Sequence, residues 1–278
     1  MATIARPARR AGIASAALVA ALLLVLQQLP AAGPDTGVAP ANQTALIERA
    51  LSELQPSSPS DASGHIYFVG FAGYGPEAVF KREVVAVREL FNARFGTSGR
   101  SVALVNHVTT VDELPLASPQ NLERALQHVG KIMDPGRDTL FLFLTSHGER
   151  ALLAVVMPGL HLEHLTPGML KSMLDRSGIK RRIVVVSACH SGSFIPALAN
   201  ANTLVIAAAR ADRTSFGCDD QRQWTYFGDA YFNRALRQET SFRKAFDQAR
   251  RLVARWESRK RLVPSLPQIM GGEALMTE

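Results

Sequence analysis

The sequence predicts an α/β fold with a mainly parallel central sheet of about six strands and helices on both of its faces. From residue 65 onward, short apolar runs alternate with stretches of helical periodicity, and this alternation is typical of parallel sheets whose strands are joined by helices. The apolar runs are also continuous, as they are in strands buried on both faces. Of the 278 residues, 47% are hydrophobic and 20% are charged, so the chain can bury a sizeable core.

The strands and helices of this predicted domain follow one another without an internal repeat. Ser118 and Pro119 are the start signal of one helix, and Gly178 is the stop signal of the next. The predicted strands are HIYFVGF (65–71), SVALVNH (101–107), TLFLFLTSHG (139–148), ALLAVVM (151–157), RIVVVSACHSG (182–192) and TLVIAAA (203–209). The predicted helices cover residues 76–95, 118–133 and 166–178, then begin again at about 228 and cover 241–261.

Residues 1–33 are predicted to be a signal peptide or an uncleaved signal-anchor. Three arginines before residue 11 precede an apolar run from Ala11 to Leu26, and small residues follow it. The run is shorter than the roughly 20 residues of a membrane-spanning helix. The segment could therefore be a signal peptide that is cleaved off or an anchor that keeps the protein at the membrane. In either case the positive end stays in the cytoplasm. We therefore expect an exported domain, in the periplasm or at the extracellular face of the inner membrane.

The rest of the chain is predicted to consist of a linker, one domain and a short tail. Residues 34–64 are rich in Pro, Ser, Ala and Gly around one amphipathic helix, the domain covers 65–272, and the tail is 273–278. The net charge of +7 favours solubility and attraction to anionic surfaces. No nucleic-acid partner is predicted, because no recognisable nucleic-acid-binding motif accompanies the charge.

Two of the predicted strands end in residues whose side chains can take part in catalysis, His147 and Cys189. The carboxyl ends of parallel strands meet at one edge of a sheet, where a histidine can activate a cysteine as a nucleophile. The amides of Gly148 and Cys189 could then form an oxyanion hole. We expect His190 to diverge, since successive side chains of a strand point to opposite faces. On these residues alone, a buried structural thiol is a nearly equal interpretation of Cys189.

The two strand-end motifs carry a resemblance to a known family. FLFLTSHGER followed by IVVVSACHSGSF resembles the paired signature of the legumain-like (asparaginyl endopeptidase) cysteine peptidases, within the caspase-like superfamily. The likeness continues through AAARADRTSFGCDDQRQWTYFGDAYF, covers about residues 65–270, and is strongest to bacterial exported members. It implies a caspase-like three-layer sandwich, peptide or protein substrates, and neither a cofactor nor a metal.

The resemblance also implies roles for individual residues. His147 would be the catalytic histidine, Cys189 the nucleophile and Gly148 an oxyanion donor. The positions assigned to the pocket for the residue before the cleaved bond are Ser187, Thr214, Ser215, Asp229, Lys81 and Arg82.

The motifs depart from the family pattern at several positions. Ser187 and Ser146 stand where legumains have acids, and the asparagine that orients the legumain histidine has no match beside Lys81. The residue preference is therefore open, as is the choice between hydrolysis and transpeptidation. The alternative function is a non-catalytic exported binding domain that keeps the fold.

The chain has two cysteines, Cys189 and Cys218. In an oxidising compartment two cysteines suggest a disulfide. A disulfide would, however, remove the reactive thiol of Cys189 and close the cleft between the segments that carry the two cysteines. We therefore predict that Cys218 is a pocket-side or packing thiol, with a regulatory disulfide as the alternative. No metal site is predicted, because His161 and His164 lack further ligands at metal spacing.

Overall fold

A computed structural model describes residues 42–60 and 63–275, and it contains a central sheet of six strands in the order β2-β1-β3-β6-β7-β8. All neighbouring pairs are parallel except β7 with β8. The predicted mainly parallel sheet of about six strands is confirmed. The strands are β1 (Ile66–Ala72), β2 (Ser101–Val105), β3 (Thr139–Thr145), β6 (Arg182–Ser187), β7 (Thr203–Ala207) and β8 (Gln268–Met270).

A small antiparallel hairpin, β4 (Gly148–Glu149) with β5 (Leu152–Leu153), follows the carboxyl end of β3. It takes the place of the strand predicted at 151–157, so this part of the chain lies beside the main sheet. The sixth strand of the sheet is instead β8, which is three residues long and lacks the long apolar run that marks the other five.

Three of the longer helices begin at a capping residue. The side-chain oxygens of Ser118, Thr166 and Ser241 each accept a hydrogen bond from a backbone N–H of the first turn that follows, as N-cap residues do. The helices are α1 (Gln43–Ser52), α2 (Ala78–Arg94), α3 (Pro119–Ile132), α4 (Pro167–Arg176), α5 (Ile195–Leu198), α6 (Tyr226–Gly228), which continues as a π-helix (Asp229–Ala235), and α7 (Phe242–Arg259). The part of the chain that the structure describes also contains two 3₁₀ turns, Ser191–Phe194 and Glu273–Leu275.

The sheet separates two apolar cores, one on each face. Alternate residues of β1 point to opposite sides, so Tyr67 and Val69 belong to one core and Phe68 belongs to the other. The first core is covered by α1, α3, α4 and α5, and the second by α2, the α6–π-helix segment and α7. The result is a three-layer arrangement in which the carboxyl ends of the parallel strands share one edge.

The helix α1, inside the stretch predicted as a linker, packs against the domain. Ile47 is 1% exposed and Leu51 is also buried, both within the first core. The Gln43 amide donates to Val111 O at 2.6 Å and accepts from Leu116 N at 2.7 Å. The predicted signal segment lies outside the described residues. Among the helices of residues 42–60 and 63–275, none is long and apolar enough to cross a membrane.

Candidate active site

The strands that precede His147 and Cys189 are neighbours in the sheet. β3 and β6 pair in parallel, with Thr145 opposite Ser187, so each candidate lies two residues beyond a matched pair. Gly148 approaches closely, because a Cβ placed on it would lie 2.5 Å from the carbonyl oxygen of Cys189. A side chain at that position would push the two strand ends apart, which explains why the position after His147 is a glycine.

The His147 ring is held on three sides. Its Nε2 atom lies 3.0 Å from Oε2 of Glu77, and the rings of Tyr74 and Phe80 contact it edge to face at centroid distances of 4.5 Å and 5.2 Å. A carboxylate can only accept hydrogen bonds, so Nε2 carries the proton in this pair and Nδ1 is left as the acceptor. The orientation of the ring is therefore set from outside the β3 strand.

Sequence reasoning missed Glu77, the N-cap residue of α2. The available signal was its place in the chain. It lies between the end of β1 and the start of α2, and β1 pairs with β3 in parallel up to Ala72 opposite Thr145. An acid in that connection is delivered to the same edge of the sheet as His147.

The Cys189 thiol lies against the segment that follows β7. Its Sγ atom accepts a hydrogen bond from Ser215 N at 3.3 Å, and the Ser215 carbonyl and hydroxyl oxygens are 3.6 Å and 3.8 Å away. His190 has other partners. Its ring atom Nδ1 lies 3.0 Å from Ala211 O, and its backbone N–H donates to Arg213 O. The thiol and the neighbouring imidazole therefore face different surroundings.

Cys218 lies beside His147 rather than in a bridge, and both cysteines are free thiols in the structure. One ligand atom each from Glu77, His147 and Cys218 lies within 4.8 Å of the other two. Burial is the main cause that raises the pKa of the Cys218 thiol, and the negative charges of Glu77 and Cys189 raise this pKa further. Cys218 is thus a half-buried thiol next to the candidate catalytic groups.

A buried carboxyl group, Glu83, lies beneath the site. Its Oε2 accepts from Thr145 Oγ1 at 2.7 Å, and its Oε1 accepts from Thr225 N and Thr225 Oγ1 at 3.0 Å and 2.8 Å. Burial raises the pKa of this carboxyl, although the hydrogen bonds lower it. Through Thr225 the group also reaches β6, since the Ser187 and Thr225 hydroxyl oxygens are 3.3 Å apart. Glu83 therefore ties α2 to the ends of two strands.

The residues predicted for the substrate pocket fall into different environments. Ser215 touches the thiol of Cys189, and Thr214 next to it is exposed. Ser187 is 3% exposed and faces Thr225. Asp229 accepts hydrogen bonds from Asn233 Nδ2 at 2.7 Å and from Arg234.

The two predicted cations of α2 also have partners of their own. Lys81 Nζ donates to Thr109 Oγ1 at 2.8 Å. The Arg82 guanidinium donates to the backbone carbonyls of Asp220 and Arg222. The structure thus brings Gly148 and Ser215 against Cys189, while Lys81, Arg82 and Asp229 are engaged elsewhere.

The fold and these strand-end residues define an α/β protein of the caspase-like type, with a histidine and a cysteine at neighbouring strand ends. Caspase-1 from Spodoptera frugiperda shares the fold, with a TM-score of 0.54 at 12% identity over 78% of this chain and 93% of that one. The sequence matches the Peptidase C13 family over residues 120–276. Since that match covers more than half of the sequence, the chain belongs to the Peptidase C13 family.

Relatives within the family are legumains. Mouse (Mus musculus) legumain and human (Homo sapiens) legumain are each 30% identical to this chain over 105 residues. The aligned region is 37% of this chain and 24% of each legumain. The match therefore spans about a quarter of the length of these relatives.

Proposed function

We propose that this protein is a cysteine endopeptidase in which Cys189 is the nucleophile and His147 is the general acid and base. The observation that carries the proposal is the pairing of β3 with β6. It places His147 and Cys189 two residues beyond the matched pair Thr145 and Ser187, with the Gly148 backbone directly against Cys189. Membership of a cysteine peptidase family supports the same conclusion.

The first half of the reaction forms an acyl-enzyme. His147 takes the thiol proton of Cys189, and the thiolate attacks the carbonyl carbon of the peptide bond. The backbone N–H groups of Gly148 and Cys189 would stabilise the oxyanion, which is worth about 3 kcal/mol per donor in comparable sites. The imidazolium then gives its proton to the leaving amine, and the C–N bond breaks.

The second half releases the acyl group. His147 takes a proton from water, the resulting hydroxide attacks the thioester carbonyl, and the Cys189 thiolate leaves. An amine in place of water gives a new peptide bond by the same steps, so transpeptidation is a variant of this function. The proposed substrates are peptides or proteins, and the proposed place of action is outside the cytoplasm, as the signal segment predicted at 1–33 implies.

Glu77 has a positioning role in this proposal. Its carboxylate accepts from Nε2 of His147 at 3.0 Å, which leaves Nδ1 as the nitrogen that exchanges protons with thiol and leaving group. The negative charge also stabilises the imidazolium that forms during acylation. A glutamate here would serve in place of the asparagine that the sequence lacks beside Lys81.

A peptide-library assay with a thiol-directed probe tests the proposal. Wild-type protein should cleave peptides and label at Cys189, whereas Cys189→Ala should do neither. His147→Ala should lower the rate at least about 100-fold and suppress labelling. His161→Ala, a substitution of an exposed histidine, is the matched control and should behave as wild type. Equal labelling in wild type and His147→Ala, with no peptide cleaved, would instead indicate a non-catalytic binding domain.

A further inference from the structure

We propose that Glu77, His147 and Cys218 form a binding site for Zn²⁺, with water as the fourth ligand. Within residues 42–60 and 63–275, these three side chains are the one group of three His, Cys, Asp or Glu residues with mutually close ligand atoms. The donors are a carboxylate oxygen, an imidazole nitrogen and a sulfur, which is a set that zinc accepts and that magnesium and calcium do not.

The spacing of the ligand atoms fits a tetrahedral ion. Ligands with bonds of about 2.0 Å stand about 3.3 Å apart on zinc, and His147 Nε2 is already 3.0 Å from Glu77 Oε2. A sulfur bonded at about 2.3 Å stands about 3.5 Å from such a ligand. Because one ligand atom of each residue lies within 4.8 Å of the other two, each distance to the Cys218 sulfur has to shorten by at most about 1.3 Å.

The backbone segments that carry Glu77 and Cys218 are joined to each other. Ala78 N, the residue after Glu77, donates to Asp220 Oδ1 at 2.6 Å, and Asp220 lies two residues beyond Cys218. Arg82 strengthens the connection by donating to the backbone carbonyl of Asp220. The carboxylate of Glu77 makes no capping bond to its own helix, so it stays available to a ligand.

Zinc binding releases one proton from the site to solvent. The Cys218 thiol gives its proton to solvent and binds as thiolate. The single proton of the neutral His147 imidazole moves from Nε2 to Nδ1 by exchange with solvent, and zinc binds the freed Nε2. Thiolate, carboxylate and dication then sum to no net charge.

Zinc bound in this way would make the site inactive, an effect that rests on the proposed peptidase function. In the metal-free protein Nδ1 of His147 is the proton acceptor, whereas in the zinc-bound protein Nδ1 carries a proton. The imidazole then has no free nitrogen to accept the proton of Cys189. Zinc would therefore be a reversible inhibitor that acts on the histidine, with the nucleophile itself left free.

Cobalt binding tests the site without reference to activity. Metal-free full-length protein is titrated with Co²⁺, and the thiolate-to-cobalt charge-transfer band is recorded for wild type, Cys189→Ser and Cys218→Ser. We expect the band at one equivalent in wild type and Cys189→Ser, its absence in Cys218→Ser, and its disappearance when Zn²⁺ displaces the cobalt. Zn²⁺ affinity, measured by competition with a chelating dye, should fall at least about 10-fold in Cys218→Ser.

Three outcomes would contradict the proposed metal site. They are no charge-transfer band in wild type, loss of the band in Cys189→Ser alone, and loss of the band in both Cys189→Ser and Cys218→Ser. The activity measurement is separate. Zn²⁺ should inhibit peptide cleavage reversibly with EDTA, and half-inhibition of Cys218→Ser, relative to its own metal-free rate, should need at least about 10-fold more Zn²⁺. Equal inhibition of both proteins would overturn the mechanism of inhibition. A cobalt band without peptidase activity in metal-free protein would contradict the proposed function and leave the metal site standing.

Discussion

Two glutamates of the first long βα connection determine the surroundings of the proposed chemistry. Glu77 contacts His147 directly, whereas Glu83 lies one layer deeper and contacts Thr145 and Thr225. Both are six residues or fewer from the start of α2, yet one is half-buried and the other is fully buried. We expect substitutions of the two residues to have opposite signatures, one in turnover and one in stability.

Glu77→Ala should lower kcat about 100-fold with little change in KM, because the imidazole loses the acceptor that fixes its orientation. Glu77→Gln keeps an oxygen that accepts from Nε2 and should lose less. Steady-state kinetics of the two variants in EDTA measures how far each substitution changes kcat and how far it changes KM. An increase in KM at unchanged kcat, or an equal loss in both variants, would contradict the positioning role.

Glu83→Gln should make the protein less sensitive to pH. Burial raises the pKa of Glu83 in the folded state above the ordinary value of 4.5, with Asp229 as the charged neighbour that raises it further. The folded protein then holds this proton more tightly than the unfolded chain. Its stability should therefore fall as pH rises from the unfolded pKa to the folded pKa, and level off above that.

The glutamine variant can keep the hydrogen bonds of the carboxyl, since its oxygen accepts from Thr225 and its NH₂ donates to Thr145 Oγ1. Urea unfolding of both proteins should be measured from about pH 4 to about pH 8. The free energy of unfolding of the variant should rise relative to that of wild type as pH rises. A difference in free energy of unfolding that stays constant with pH would refute this prediction.

At the scale of elements, the segment between β7 and α6 lies against Cys189, His147 and Glu83. Ser215 reaches the Cys189 sulfur, Cys218 lies beside His147, and Thr225 binds Glu83. Arg82 holds the same segment through the carbonyls of Asp220 and Arg222. The segment is therefore tied to α2, and it lies against both candidate catalytic side chains.

The packing of α3 against the end of α4 depends on one glycine. A Cβ on Gly130 in α3 would overlap the carbonyl oxygen of Ser177, whereas a Cβ on Gly168 in α4 meets nothing within 4 Å. Gly130→Ala should lower the free energy of unfolding by about 1–3 kcal/mol. Gly168→Ala, the matched control, should raise it by up to about 1 kcal/mol, because alanine is the better helix former. Chemical denaturation of both variants measures the difference, and equal effects would refute the assignment.

The elements that could be predicted from the sequence are those with a local signal. The five long apolar strands and the strand-end placement of His147 and Cys189 follow from runs of residues that are close together in the chain. The partners of Glu77 and Glu83 could not be predicted in this way, since each is defined by a residue more than 60 positions away. The partners of Lys81 and Arg82 could not be predicted either, since they lie 28 and 140 positions away, at Thr109 and at the Arg222 carbonyl.

At the scale of the whole molecule, the N-terminal helix α1 contributes to the core. Ile47→Ala should cost about 2–5 kcal/mol of unfolding free energy, because it removes a side chain that is 1% exposed in the first core. Glu48→Ala, next to it on the exposed side of the helix, should change stability by less than about 0.5 kcal/mol. Thermal or urea unfolding of the two variants compares them. If both were neutral, α1 would not be part of the cooperative unit.

The two strands that carry His147 and Cys189 are the middle pair of the six, with β2 and β1 on one side and β7 and β8 on the other. A middle strand is hydrogen-bonded along both sides, so its position is less sensitive to insertions than that of an edge strand or a loop. Over evolutionary time, the rim of the sheet and the connections around it can therefore change in length and composition without altering the spacing of imidazole and thiol. A lineage with this architecture can acquire new binding preferences at the periphery while it inherits the two strand-end side chains, and with them the proposed chemistry, unchanged.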